Sequence, residues 1–319
     1  MADEANSAPV KKNDRTFYRH LRPVRRLFRL LEVVAPPLVG PLSIDLFRRA
    51  RRHETPSREL DWLASASSFD LRVDGRPMAA WSWGSGPSVL LAHGWEGRGS
   101  QMGAFALALE DAGYRAVAFD MPGHGASRGS RSSLPQFARA VRAAADATGP
   151  VHAVVAHSFG AAGTGWALHQ GLAVGRLVFV SPPWDLQPYI DYFASLVGLS
   201  ERGVPRMLEQ FGKRFDAPWP QARFATHLAK DDTPLLVVHD TEDSETPVEG
   251  GRRLAAEWPN GRVVETTGLG HNRILRDRGV VEEVVRFVSA GEATAPPTRA
   301  RSSAPQRAAS FSGAATQAS

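Results

Sequence analysis

The chain predicts an α/β fold, a mostly parallel and doubly wound sheet of about eight strands with a small helical lid after the sixth. Short β-rich runs alternate with helical segments from Phe69 to Ala290, the rhythm of repeated β-α units. The runs VLLA, VFV and LLVV are apolar at consecutive positions, as strands covered on both faces by helices must be. One stretch breaks the rhythm, residues 182–230, and its aromatics (Trp184, Tyr189, Tyr192, Phe193, Phe211, Phe215, Trp219) predict a separate helical lid.

The expected strands, in order, are FDLRV, MAAWSW, SVLLAHG, YRAVAFD, VHAVVAHS, RLVFVSP, PLLVVHD and GRVVETT. Helices are expected at about 100–112, 134–148, 159–171, 248–258 and 272–289. Ahead of them, Arg15, Arg19, Arg22, Arg26 and Arg29 recur at steps of three and four, which places them on one helical stripe. Leu21, Val24, Leu27, Phe28, Leu31 and Val34 fall largely on the other side. Pro23 suits a first helical turn, and Pro36-Pro37 stops the helix. The residues from Gly291 onward are rich in Ala, Ser, Pro and Thr, bury too little to offset chain entropy, and are expected to be a disordered tail. Three segments follow: a basic extension (1–58) carrying the amphipathic helix, a main domain (59–290), and the tail (291–319).

Charge follows the same division. The 319 residues carry a net charge of +5, yet residues 59–290 sum to −4 while residues 1–58 carry +7. No nucleic-acid partner is therefore expected, because the excess positive charge sits on the appendages. The absence of cysteine excludes disulfides, thiolate metal sites and Cys nucleophiles. No apolar run reaches the roughly 18 residues needed to cross a bilayer, and arginines interrupt the apolar N-terminal stretch in a way a secretory signal does not tolerate. The protein is expected in the cytoplasm, with peripheral contact to an anionic membrane offered by the basic helix.

The motifs point to one chemistry. VHAVVAHSFGAAGTGWAL runs a buried strand into Ser158 and then into a helix opened by small residues. This resembles the nucleophile elbow of the α/β-hydrolase family, G-x-S-x-G, with Ala156 at the first glycine. The ordinary alternative is a serine N-cap. His93-Gly94-Trp95 resembles the family's H-G-x turn, and Asp120-Met121-Pro122-Gly123-His124-Gly125-Ala126-Ser127 resembles its D-x-P-G-H-G-x-S loop. The resemblance, which covers 69–290, implies backbone N–H donors at Trp95 and Phe159 for an oxyanion. It assigns His93 a structural role and gives His124 none in the chemistry.

The family's chain order, Ser then acid then His, leaves a single eligible histidine beyond PLLVVHD, His271 in a glycine-flanked loop. The family's H-G-x-x-D-x-x-V-P pattern, laid on His239 and Pro247, puts the acid on Asp243, with Asp240 in the glycine's place and Thr246 in the valine's. Asp240 and Glu242 stay open as alternatives. The resemblance thus implies a serine hydrolase acting on a carboxylic ester or related acyl bond of a neutral, apolar small molecule, through Ser158, His271 and Asp243 and an acyl-enzyme. It calls for no cofactor and no metal. Thioesterase, acyltransferase and non-catalytic binding roles share the fold.

Overall fold

A computed structural model describes residues 21–215 and 232–290. Arg15 and Arg19 of the expected basic stripe, Trp219, the last part of the lid and the tail lie outside the described residues.

The described residues open with α1 (Arg22–Val34), a turn of 3₁₀ helix at Pro36–Leu38, α2 (Val39–Phe47) and α3 (Ser57–Ala64). Four short strands follow: β1 (Ser67–Ser68), β2 (Leu71–Val73), β3 (Arg76–Met78) and β4 (Ala80–Trp83). The alternation then begins, with β5 (Ser88–Ala92), α4 (Gly103–Asp111), β6 (Arg115–Phe119), α5 (Leu134–Thr148), β7 (Val151–His157), α6 (Phe159–His169) and β8 (Arg176–Val180). The lid helices are α7 (Gln187–Val197) and α8 (Gly203–Phe215). The chain returns through β9 (Leu235–Asp240), α9 (Val248–Glu257), β10 (Gly261–Thr266), the single-turn α10 (Gly270–Arg273) and α11 (Arg278–Ser289).

Eight strands form the main sheet in the order β1-β4-β6-β5-β7-β8-β9-β10, and only the β1/β4 and β4/β6 pairs are antiparallel. β5, with every residue buried, lies at its centre between β6 and β7. Core residues fall on both faces: Leu90, Phe119, Val154 and Phe179 belong to one cluster, Leu91, Ala118, Val155 and Val180 to the other. This doubly covered sheet is what the consecutive apolar runs require.

Two expectations are corrected. FDLRV is not a strand of the main sheet: its Leu71–Val73 pairs with Arg76–Met78 in a separate two-stranded ribbon, and the sheet's first strand is the two-residue Ser67–Ser68. A tight turn at Asp74 and Gly75, both at positive φ, folds the ribbon back on itself before it can reach the sheet. The helix expected at 272–289 is two pieces, because Asp277 is extended and accepts a bond from Val280 N–H, starting a new helix with its own cap.

The basic extension is also more than an appendage. Helix α2 packs closely on α8, and a Cβ at Gly40 would lie 2.6 Å from the Arg206 carbonyl oxygen, so the crossing needs glycine there. The Arg25 guanidinium bonds the Ser195 and Leu196 carbonyls near the C-terminus of α7. Glu32 accepts the Ser200 N–H at 2.9 Å ahead of α8. Cation at one helix end and carboxylate at the other is the arrangement the helix dipoles favour, so α1 braces the lid.

Candidate active site

Ser158 sits between β7 and α6 at φ 50°, ψ −122°, a left-handed conformation that a non-glycine residue adopts only under constraint. The constraint is visible: Ser158 N–H bonds Val180 O at 2.9 Å, fastening the turn to β8. A Cβ at Gly160 would lie 2.5 Å from the His93 carbonyl oxygen, and one at Gly94 would lie 3.0 Å from the Ser158 Cβ. Small residues let the two loops close on each other. The serine hydroxyl does not cap α6, so the N-cap alternative fails.

The loop after β5 is held rigidly. His93 accepts Met121 N–H on Nε2 at 2.9 Å and meets Gly94 O through Nδ1 at 2.6 Å, the bracing role expected of it. Further along, Arg98 makes a buried two-pronged contact with Glu59 at 2.7 and 2.9 Å, tying the loop to α3. The Trp95 and Phe159 rings meet edge to face at 5.4 Å, and neither backbone N–H has a hydrogen-bond acceptor among the described residues. Two unspent amides beside Ser158 are what an oxyanion needs.

Asp120 pins the neighbouring loop by accepting Gly99 N–H and Ala126 N–H, each at 2.6 Å. Gly125 sits against that carboxylate at φ 46°, where a Cβ would lie 2.0 Å from Oδ2. Burial pushes the Asp120 pKa up to about 6 even against these two bonds.

His271 lies in the single turn α10 and donates Nδ1–H to Asp243 Oδ2 at 2.8 Å. Asp243 is buried yet fully engaged: Oδ1 accepts the Glu245 and Thr246 N–H groups at 2.8 and 2.9 Å, and Oδ2 also accepts the Thr246 hydroxyl at 2.9 Å. Burial alone would raise its pKa. The His271 hydrogen bond and charge, with the two amides, outweigh burial and hold the carboxyl below the ordinary carboxylate range.

The alternatives separate cleanly. Asp240 accepts Glu242 N–H at 3.0 Å, the Thr266 hydroxyl at 2.7 Å and Leu269 N–H at 2.9 Å, so it pins the loop that delivers His271 without touching the imidazole. Glu242 is exposed.

Sequence reasoning missed His157. Its Nε2–H donates to the His271 carbonyl at 3.0 Å, and the two rings stand 4.6 Å apart. Burial, then repulsion from His271, drives the His157 pKa down to about 3, so it remains a neutral donor. The residue beside the serine therefore positions the backbone of His271. His157, covalently next to Ser158, thereby links the serine turn to the His271 loop. Thr246 was likewise read as a departure, whereas its hydroxyl is a working ligand of Asp243 that a valine lacks.

Several lid aromatics pack within the lid or against the extension. Phe193 meets Phe47 of α2 at 5.0 Å, and Phe211 is buried and meets Phe215 at 4.9 Å. Tyr189 instead reaches the acid loop, donating its hydroxyl to Glu245 O at 3.0 Å.

Comparisons with known proteins agree with this architecture. Two uncharacterized proteins of Mycobacterium tuberculosis strains are each 29% identical over 231 residues, covering 68% of this chain and 76% of the relative. An esterase of Pyrococcus furiosus superposes with a TM-score of 0.57 at 18% identity, covering 75% of this chain and 98% of the esterase. An esterase from Rhodococcus gives 0.51 at 22% identity, covering 71% and 99%. An epoxide hydrolase of Vigna radiata gives 0.52 at 19%, covering 71% and 97%, so the shared fold spans different reactions. The alpha/beta hydrolase family model matches residues 89–283, and the chain belongs to that family.

Proposed function

We propose that the protein is a serine hydrolase that cleaves a carboxylic ester, or a related acyl bond, of a neutral and apolar substrate. The observation that carries the reading is the buried Asp243 carboxylate, saturated with donors and 2.8 Å from Nδ1 of His271. That bond fixes the imidazole tautomer with Nε2 unprotonated, the form able to take a proton. His271 Nε2 removes the Ser158 hydroxyl proton as Oγ attacks the substrate carbonyl. Asp243 stabilises the imidazolium that results. The amides of Trp95 and Phe159 receive the tetrahedral oxygen, each contributing about 3–4 kcal/mol to that state. His271 then returns the proton to the leaving alcohol, and water hydrolyses the acyl-Ser158 ester by the same steps in reverse. A series of p-nitrophenyl esters tests this reading. Turnover rising with acyl length is expected, by about tenfold or more between acetate and a medium chain. No turnover of any member contradicts it.

We further propose that the outer face of α1 and α2 rests on an anionic membrane. Leu27, Leu30, Val33, Val34, Leu38 and Leu42 are 43–79% exposed, six of the seven exposed large hydrophobics among the described residues. Arg22, Arg26 and Arg29 are exposed on the same helix, which supplies charge complementary to acidic headgroups, at roughly 1 kcal/mol each. No described helix is long and apolar enough to cross a membrane. The full chain is expected to float with phosphatidylcholine–phosphatidylserine vesicles, and a Leu30→Ser/Val33→Ser/Val34→Ser variant to stay at the bottom. Equal flotation of the two would refute this surface.

A further inference from the structure

Outside the candidate active site, a cleft of about 880 Å³ is bounded by α2, α5, the 127–131 loop, the β2–β3 turn and the end of α8. Seven cationic side chains line it. Four have protein partners: Arg131 pairs with Asp45, Lys213 with Glu209 and Arg139 with Asp74, while Arg48 donates to Ser132 O and Gln136 Oε1. The other three side chains, Arg76, Arg128 and Arg214, have no hydrogen-bond or ion-pair partner among the described residues. Asp74 is the only carboxylate among the described lining residues, and Arg139 already holds it at 3.1 Å.

This density of positive charge runs against the surrounding composition, since residues 59–290 carry a net −4. It is also costly where it stands. Arg48 is 6% exposed, and its guanidinium faces neutral acceptors and the Phe215 ring at 5.0 Å rather than a carboxylate. Burial first, then repulsion from Arg214, pulls its pKa down to about 10. Like charges gathered in a concave wall focus the potential and raise the local concentration of anions. Guanidinium forks match the paired oxygens of a phosphoryl group better than a single point charge would.

We propose that this cleft is a binding site for a phosphate-bearing small molecule, held by Arg128, Arg214 and Arg76 around the buried Arg48. The proposal goes beyond the hydrolase reading, because none of Ser158, Asp243 and His271 lines the cleft. Helix α5 stands between the two places. Its Gln136 and Arg139 face the cleft, while Phe137 packs on Trp95 and Phe159 beside the oxyanion donors, with ring centroids at 6.1 and 4.9 Å. The phosphoryl group arrives either free in solution or on a lipid headgroup.

Calorimetric titration of the full chain with pyrophosphate at constant ionic strength tests the first source. Sedimentation with phosphatidylcholine–phosphatidic acid vesicles tests the second. The variant is Arg128→Ala/Arg214→Ala, both residues exposed and neither hydrogen-bonded to Ser158, Asp243 or His271, checked for an unchanged circular dichroism spectrum and unchanged p-nitrophenyl ester turnover. About tenfold or greater weakening of pyrophosphate binding in the variant assigns a soluble ligand, whereas a loss confined to the vesicles assigns a headgroup. Either result supports the site. Wild-type protein that binds neither probe, or a variant that binds both as wild type does, overturns it, whatever the outcome of the ester assay.

Discussion

Ser158→Ala is expected to lower kcat for ester hydrolysis by about 10⁶ and to leave the fold unchanged. The proposed mechanism routes every bond change through Oγ, so a methyl group leaves only the oxyanion donors and binding, which retain about 10³–10⁴ over water in comparable sites. The substitution also separates chemistry from strain. Ser158 holds φ at 50°, and alanine carries the same Cβ into the same conformation, so thermal stability should stay close to wild type. Ser158→Gly removes the penalty. It is expected to be as inactive as the alanine variant but more stable by about 1–3 kcal/mol, which is roughly 2–4 °C per kcal/mol for a domain of this size. Steady-state kinetics and a thermal melt of the three proteins check both halves. An alanine variant with a tenth of wild-type turnover, free of wild-type contamination, excludes Ser158 as nucleophile.

Asp243→Asn should cost about 10⁴ in kcat, because the amide presents an N–H or a weaker acceptor to Nδ1 and favours the imidazole tautomer that cannot take the serine proton. The carboxylate is the meeting point of four donors: two backbone amides, the Thr246 hydroxyl and His271. Asp240→Asn supplies the contrast. Its Oδ2 takes the Thr266 hydroxyl and the Leu269 N–H, and an amide nitrogen placed there faces donors only. A loss of about 1–3 kcal/mol in stability is expected, with kcat within about tenfold of wild type. The pair of variants thus separates an acid that touches the imidazole from one that shapes the loop delivering it. Should Asp240→Asn prove the more damaging to kcat at full folding, the assignment reverses.

The strong local signals of the sequence carried the fold. Buried parallel strands must be apolar on both faces, and that requirement wrote VLLA, VFV and LLVV into the chain in readable form. The elbow was equally legible, because a turn that brings Gly160 against the β5 loop admits only small residues. What stayed hidden depends on tertiary contact. Ser67–Ser68 is a strand only because Ser82 and Trp81 pair with it; nothing in two serines announces one. The elbow pattern assigns His157 no role, because its partner, the His271 carbonyl, comes beside its Nε2 only in the fold. Arg25 and Glu32 stand outside the arginine stripe that the sequence shows, because their work lies across the interface, on the ends of α7 and α8. The basic cleft gathers residues from 48 to 214, scattered among carboxylates along the chain, so no segmental charge count could have found it. Composition places the surplus positive charge on the appendages, whereas the fold gathers six cations of the net-negative body beside Arg48 of the extension.

The most direct test of the central claim is covalent capture. A fluorophosphonate probe reacts with a serine hydroxyl only where a base activates it and donors stabilise the developing oxyanion. Mass spectrometry of the digested, labelled protein is expected to place one adduct on Ser158, absent from Ser158→Ala and strongly slowed in Asp243→Asn. An unlabelled wild-type protein, or an adduct mapped to any other serine, would contradict the account.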